Sequence, residues 1–418
     1  MRKKLTLILL TVIGLPILAI GVYNIPFVNE KLSWRLENLR TQIIYFFRPP
    51  NEAVFLPSAQ EQIDQIVQAT LQAFVTPTLT PTPPATATTV GPTLTPTITA
   101  TPLPKAVSLP GVKYVDQHNR WNYCGPANFT MALNFWGWKG NRDDIAKVVK
   151  PGILNSKKDF IQRGFDDKNV MPYEMVDFVN DNTEFHAISR FGGDIDLIKR
   201  LIVAGFPVII EKGYFERDAN GKITWMGHYL FVTGYDDKQG GFIVQDAYLI
   251  PGKNLLSKYD IFVEGWRSFN YIFMVVYPLA KEQDVYALLG NWYDEKWADQ
   301  HALGIDNQEV KTLTGLEAFF AWFNKGTSHV QLLQYNDAAP AFDQAFSIYA
   351  TLGSDDKQRP YRMMWYQTWP YWAYYYSGRY QDVVDLANTT LYKTIAKPTL
   401  EESLYWRGLA YLALGQTG

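Results

Sequence analysis

The covalent chemistry open to this chain of 418 residues is bounded by one cysteine, Cys124, and five histidines. A single thiol closes no internal disulfide and builds neither a Cys-rich zinc site nor an iron–sulfur cluster, so Cys124 works as a lone thiol. It sits in Asp116-Gln117-His118-Asn119-Arg120-Trp121-Asn122-Tyr123-Cys124-Gly125-Pro126-Ala127-Asn128. Behind it, Phe129, Ala132, Leu133 and Trp136 fall on one face of a helix, and Pro126 suits a first helical turn. The expected position is therefore a helix N-terminus, where the dipole favours an anion and lowers a thiol's pKa. Locally two readings stand side by side: a nucleophilic thiolate, or a small buried residue with no reactivity.

A nucleophilic thiol needs a base to take its proton and a third group to orient that base. Gly227 to Tyr235 alternates and is rich in strand formers, Asp236 to Gly241 reads as a turn, and Phe242 to Asp246 runs back. This hairpin carries His228 and Asp246. His118, His186, His301 and His329 lack a comparable strand with an acid opposite. A regular turn closing between Tyr235 and Phe242 would set His228 against Leu249 and leave Asp246 on the other face of the sheet. Period-two alternation then demands a one-residue bulge or a shifted register, expected at Gly240-Gly241.

Gln117, Tyr-Cys-Gly-Pro-Ala at 123–127, the Gly-His-Tyr strand at 227–229 and Asp246 together resemble the C39-like branch of the papain-like cysteine peptidases, over about Leu109 to Pro278. That branch includes the double-glycine leader peptidases of bacteriocin exporters. The resemblance implies Cys124 as nucleophile, His228 as base, Asp246 as orienter, and Gln117 as oxyanion-hole donor beside a backbone N–H; a side-chain amide suits that role, because its donors are fixed where negative charge develops. The chain departs from the exporter-linked members in lacking their membrane and ATPase domains, and in carrying Ala247 where many relatives have proline. A leader-peptide substrate does not carry over.

The elements around these residues follow from pattern. Asn141–Val149, Met171–Asn180 and Ile195–Ala204 read as helices, the last ended by Gly205. Pro207–Glu211 and Tyr271–Tyr277 read as strands. Helices first and strands after give an α+β fold for residues 106–279, here a papain-like peptidase domain with Cys on an N-terminal helix and His and Asp on an antiparallel sheet. Tyr173, Trp225 and Trp266 line a cleft or belong to the core.

Outside that region the chain changes character. After Met1-Arg2-Lys3-Lys4, Leu5 to Tyr23 is apolar and long enough to span a bilayer with the bulk of the chain outside. A cleaved signal peptide is the rival reading, and no cysteine near the start is available for acylation. Residues 24–75 form a juxtamembrane segment in which Ser58-Ala59-Gln60-Glu61 opens a helix. Residues 76–105 are a linker: Thr76 to Pro104 holds 12 Thr and 8 Pro among 29 residues and no charge, the composition of an extended stalk.

Residues 280–418 read as helices of tetratricopeptide-like repeats, with a plain bundle as the other reading. Gly378 and Gly415 each follow a Tyr-rich helix and lie 37 residues apart, near the repeat period of about 34. A weaker copy is expected near Thr327. The final helix leaves Leu409, Leu412 and Ala413 without a covering helix, as in a chain cut from a longer one or one covered by a partner.

With 47% hydrophobic residues the chain is no disordered protein. Lys+Arg at 39 against Asp+Glu at 41, net −2, gives no basic surplus for nucleic acid. No metal or cofactor is expected. The reading is a single-pass, membrane-anchored, extracytoplasmic cysteine peptidase whose helical repeats engage a protein partner or substrate. The runner-up readings are an inactive peptide-binding scaffold of the same fold, and a cell-wall peptide hydrolase or acyl transferase using the same triad.

Overall fold

A computed structural model describes residues 54–57, 102–120, 122–152, 154–164, 167, 169–217, 223–353, 359–395 and 397–416, with scattered positions among the first 53. Most of Leu5–Tyr23, the helix expected from Ser58, and the stretch Thr76–Thr101 lie outside the described residues. Among the described residues no helix is long and apolar enough to cross a membrane.

β-branched and aromatic residues dominate Ile223–Asp236, and this becomes the long central strand of a seven-stranded antiparallel sheet. The strands are β1 (Ala106–Ser108), β2 (Phe185–Arg190), β3 (Val208–Arg217), β4 (Ile223–Asp236), β5 (Gly241–Gln245), β6 (Leu255–Lys258) and β7 (Phe273–Pro278). Their order is β2-β7-β3-β4-β5-β6, and β1 pairs with β4 beyond the point where β3 ends. The helices threaded among them are α1 (Cys124–Phe135), α2 (Arg142–Val149), α3 (Phe160–Gly164), α4 (Pro172–Asn182), α5 (Ile195–Val203) and α6 (Tyr259–Arg267). Asn141 caps α2 with a reciprocal bond from Asp144, and Asp194 caps α5, so both helices start where the cap residues put them.

The pleat sorts the sheet into two cores. Even-numbered Ile210, Leu230 and Val232 meet Leu197 and Leu201 of α5 and Phe262 of α6. Odd-numbered Ile209, Tyr229 and Phe231 meet Phe129 and Leu133 of α1, Ile145 of α2 and Met175 of α4. Trp225 and Trp266, each 1% exposed, belong to cores and line no cleft. β3 runs on to Arg217, well past Glu211, because β4 pairs with it along its whole length. β2, β6 and α6 lie in segments that gave no clear pattern.

From Glu282 the chain is helical: α7 (Glu282–Leu289), α8 (Glu295–Thr312), α9 (Gly315–Gln331), α10 (Tyr335–Thr351), α11 (Met363–Tyr366), α12 (Trp369–Tyr376), α13 (Tyr380–Thr389) and α14 (Glu401–Ala413). Gly378 and Gly415 take positive φ, +79° and +72°, just beyond α12 and α14, the left-handed exit that glycine makes cheap. Thr327 lies inside α9, and the turn that follows at 332–334 leads into α10. Leu412 is 61% exposed. The helices share one core with the sheet through Trp225, Phe269 and Ile272, and Phe55, from the short segment 54–57, is buried in that core against Phe346 and Tyr374.

Candidate active site

Cys124 is the first residue of α1. Asn122 and Asn119 hold left-handed φ values of +52° and +63°, a conformation asparagine tolerates better than most residues, and this turns the chain sharply into the helix. The Cys124 N–H is among the unpaired donors of the first turn. Asn128, one turn on and fully buried, donates to Cys124 O at 2.8 Å and to Tyr229 O at 3.0 Å. One amide thus ties the start of α1 to the strand residue next to His228. Sequence reading quoted Asn128 in the motif and gave it no role.

His228 Nε2 lies 3.0 Å from Asp246 Oδ1, both side chains being nearly buried. The bulge that permits this falls at Thr233 and not at Gly240-Gly241: β4 and β5 pair as Phe231↔Gln245 and Val232↔Val244, then as Gly234↔Ile243 and Tyr235↔Phe242. One extra residue in β4 shifts the ladder by one, so Asp246 follows the strand on the face of His228. The bulge sits where β4 exchanges β3 for β1. Leu109 N bonds Thr233 O at 2.9 Å, and a Cβ on Gly234 would lie 2.5 Å from Val107 O, so that approach requires glycine. Gln245 Nε2 holds the Thr233 hydroxyl at 2.9 Å. The isolated glycine within the strand run was the local sign of this site. Gly240, at φ +67°, shapes the turn, and its carbonyl accepts from Tyr259 N at 3.0 Å.

Asp246 Oδ1 also accepts the backbone N–H groups of Tyr248 at 2.8 Å and Leu249 at 3.1 Å. Burial pushes this carboxyl up, but the charge and hydrogen bond of His228 and those two N–H groups outweigh it and hold it at about 2. Burial alone would lower the imidazole; Asp246 and then Cys124 raise it to about 10. Burial raises the thiol, yet hydrogen bonding and charge from His228, with backbone bonds from Tyr229 and Gly125, bring it below its ordinary value. With Nε2 engaged by Asp246, Nδ1 is the ring nitrogen left for Cys124. The imidazole and the thiol thus each favour the charged form of the other.

Gln117 is carried by a loop stitched to the Asp246 loop. Tyr114 OH donates to Asp246 O at 2.9 Å, Gln117 N to Ala247 O at 2.8 Å, and His118 Nε2 lies 2.9 Å from Tyr248 O. The Gln117 side chain makes no hydrogen bond among the described residues, and its Oε1 is buried, leaving the amide uncommitted. Two further residues escaped the sequence reading. Glu211 of β3, 2% exposed, is raised well above the carboxylate range by burial and then by the charge of Cys124. Tyr366 of α11 packs on Gly227, where a Cβ would meet its ring at 2.8 Å, and is close enough to feel the charges of Cys124 and Glu211. The helical region thus reaches the catalytic cluster.

Asn128→Ala is expected to slow alkylation of Cys124 about tenfold, measured as the second-order rate with iodoacetamide. The stability cost is small, about 1 kcal/mol, because the unpaired Asn128 Oδ1 disappears with its amide.

Among solved structures three chains match. One, a candidate C39-like peptidase from Bacillus anthracis, is 16% identical with a TM-score of 0.31, over 41% of this chain and 98% of that one. Among curated proteins no match is found. Residues 110–273, the stretch that holds Gln117, Cys124, His228 and Asp246, match the Peptidase_C39 like family.

Proposed function

We propose that this chain is a cysteine peptidase that hydrolyses peptide bonds by attack of the Cys124 thiolate. The observation that carries this reading is the 3.0 Å contact of His228 Nε2 with Asp246 Oδ1, with Cys124 at the start of α1 and the charges of Asp246 and His228 favouring an imidazolium and a thiolate in turn. Thiolate attack on the carbonyl carbon forms a tetrahedral oxyanion, which the Cys124 N–H and the uncommitted Gln117 amide stabilise. The imidazolium proton then goes to the leaving amine as the C–N bond breaks and a thioester remains. Neutral His228 next takes a proton from water, which attacks the thioester and releases the acid and the thiol.

We place the enzyme outside the cytoplasm, anchored through Leu5–Tyr23, with residues 280–418 as a docking region for a protein substrate or partner. The packing of Tyr366 on Gly227, next to His228, favours a second reading, a non-catalytic peptide-binding scaffold. One pair of measurements separates them. A peptidase alkylates rapidly at pH 6–7 and cleaves members of a peptide library, with both signals gone in Cys124→Ala. A scaffold shows slow labelling and no cleavage at any pH.

A further inference from the structure

Where the helices meet the sheet lies a cavity of about 120 Å³. Glu211, near enough to feel the charge of Cys124, and Asp299 of α8 both line it. The rings of Tyr173, Phe269, Tyr366 and Trp369 complete much of its lining. Asp299 is 6% exposed, yet it accepts no hydrogen bond and joins no ion pair among the described residues. Burial, followed by the charge of Glu295, raises its carboxyl to about 7, with Arg190 opposing. Arg190 is the sole cation lining the cavity against Glu211, Glu295 and Asp299. Its guanidinium already donates to the carbonyls of Ser189, Trp292 and Tyr293. A buried carboxylate without a partner is costly, and a cation in the cavity removes that cost.

We propose that this cavity is the subsite for a basic substrate side chain, lysine or arginine, whose cation lies between Asp299 and Glu211 and whose stem lies along the aromatic rings. The proposal rests on Cys124 as the nucleophile, since Glu211, which lines the cavity, is near enough to feel the charge of Cys124. Apolar walls suit the methylene stem, and ring faces add attraction for the charge. Two acids from separate regions of the chain make the subsite a joint product of the sheet lobe and the helices.

The test uses the full chain carrying Cys124→Ala, so that binding is read without turnover. N-acetyl-lysinamide is compared by calorimetry with N-acetyl-norleucinamide, which has the stem and lacks the charge. The expected result is at least tenfold tighter binding of the lysine compound. Asp299→Asn in the same background is expected to erase that preference while raising the melting temperature at pH 8, a combination that a purely structural aspartate does not give. Equal binding of the two amides, or an unchanged preference in Asp299→Asn, overturns the subsite. A preserved preference in a protein whose parent cleaves nothing overturns the peptidase reading alone and leaves the cation site standing.

Discussion

Asp246→Asn is expected to lower peptide hydrolysis by roughly 10²–10⁴-fold and to narrow the pH range of the reactive thiol from both sides. Asp246 Oδ1 carries three bonds, to His228 Nε2 and to the N–H groups of Tyr248 and Leu249, and an asparagine oxygen can accept the same three. What disappears is the charge. Asp246 is the main group that raises His228 to about 10, so the imidazolium of the variant gives up its proton at a lower pH. The imidazolium in turn is what pulls the thiol down, so the thiol of the variant ionises at a higher pH. The low-pH limb of the alkylation profile moves up, the high-pH limb moves down, and the plateau between them contracts. Each unit of movement is about 1.4 kcal/mol and a factor of ten in rate on that limb. A stopped-flow alkylation profile from pH 4 to 11 reads both limbs, and an unmoved upper limb would show that Asp246 does not govern His228.

The second large effect is one of stability. Trp225→Ala is expected to cost about 3–5 kcal/mol, the range for emptying a large aromatic site in a packed core. Trp225 lies on β4 three residues before His228. Its ring stacks on Phe269 at 5.7 Å and 10°, and lies 5.9 Å from Phe320 and 5.8 Å from Tyr366. Gly213 across the ladder is cut away for it, since a Cβ there would stand 2.3 Å from the indole nitrogen. Truncation therefore empties a seam shared by sheet and helices. Tyr366 also loses a supporting ring, so Cys124 in the folded variant should alkylate faster than in the parent. Urea unfolding measures the first effect. A loss under about 1 kcal/mol would mean that the two regions are held by their polar contacts, such as Gln367 Nε2 to Ser268 O at 2.6 Å and Asn324 Nδ2 to Arg267 O at 2.7 Å.

How much of this was legible in the sequence depends on how local each signal is. Cys124 at a helix start was readable because Pro126 and the apolar spacing of Phe129, Ala132 and Leu133 act within a few residues. That the hairpin must be irregular followed from counting parity alone. Where the irregularity falls did not, because β1 replaces β3 beside β4 at that point, and the segments concerned lie more than a hundred residues apart. The full length of β3 was hidden for a similar reason: Glu211-Lys212-Gly213 is polar and weak as a strand, and pairing with β4 overrides it. Glu211 and Tyr366 approach Cys124 from positions 211 and 366, a proximity that only tertiary packing creates. Asn128 was hidden differently, since a polar residue in a buried helix face carries no sign of which carbonyl it will find.

The burial of Phe55 between Phe346 and Tyr374 changes the mechanics of the Thr/Pro stretch. The chain is pinned there, and pinned again where Tyr235 OH holds Pro104 O at 2.5 Å and Asp237 N holds Lys105 O at 2.8 Å. Both anchor points lie on one packed body, so the separation of Phe55 from Pro104 is fixed by the fold, whatever the length of the chain that joins them.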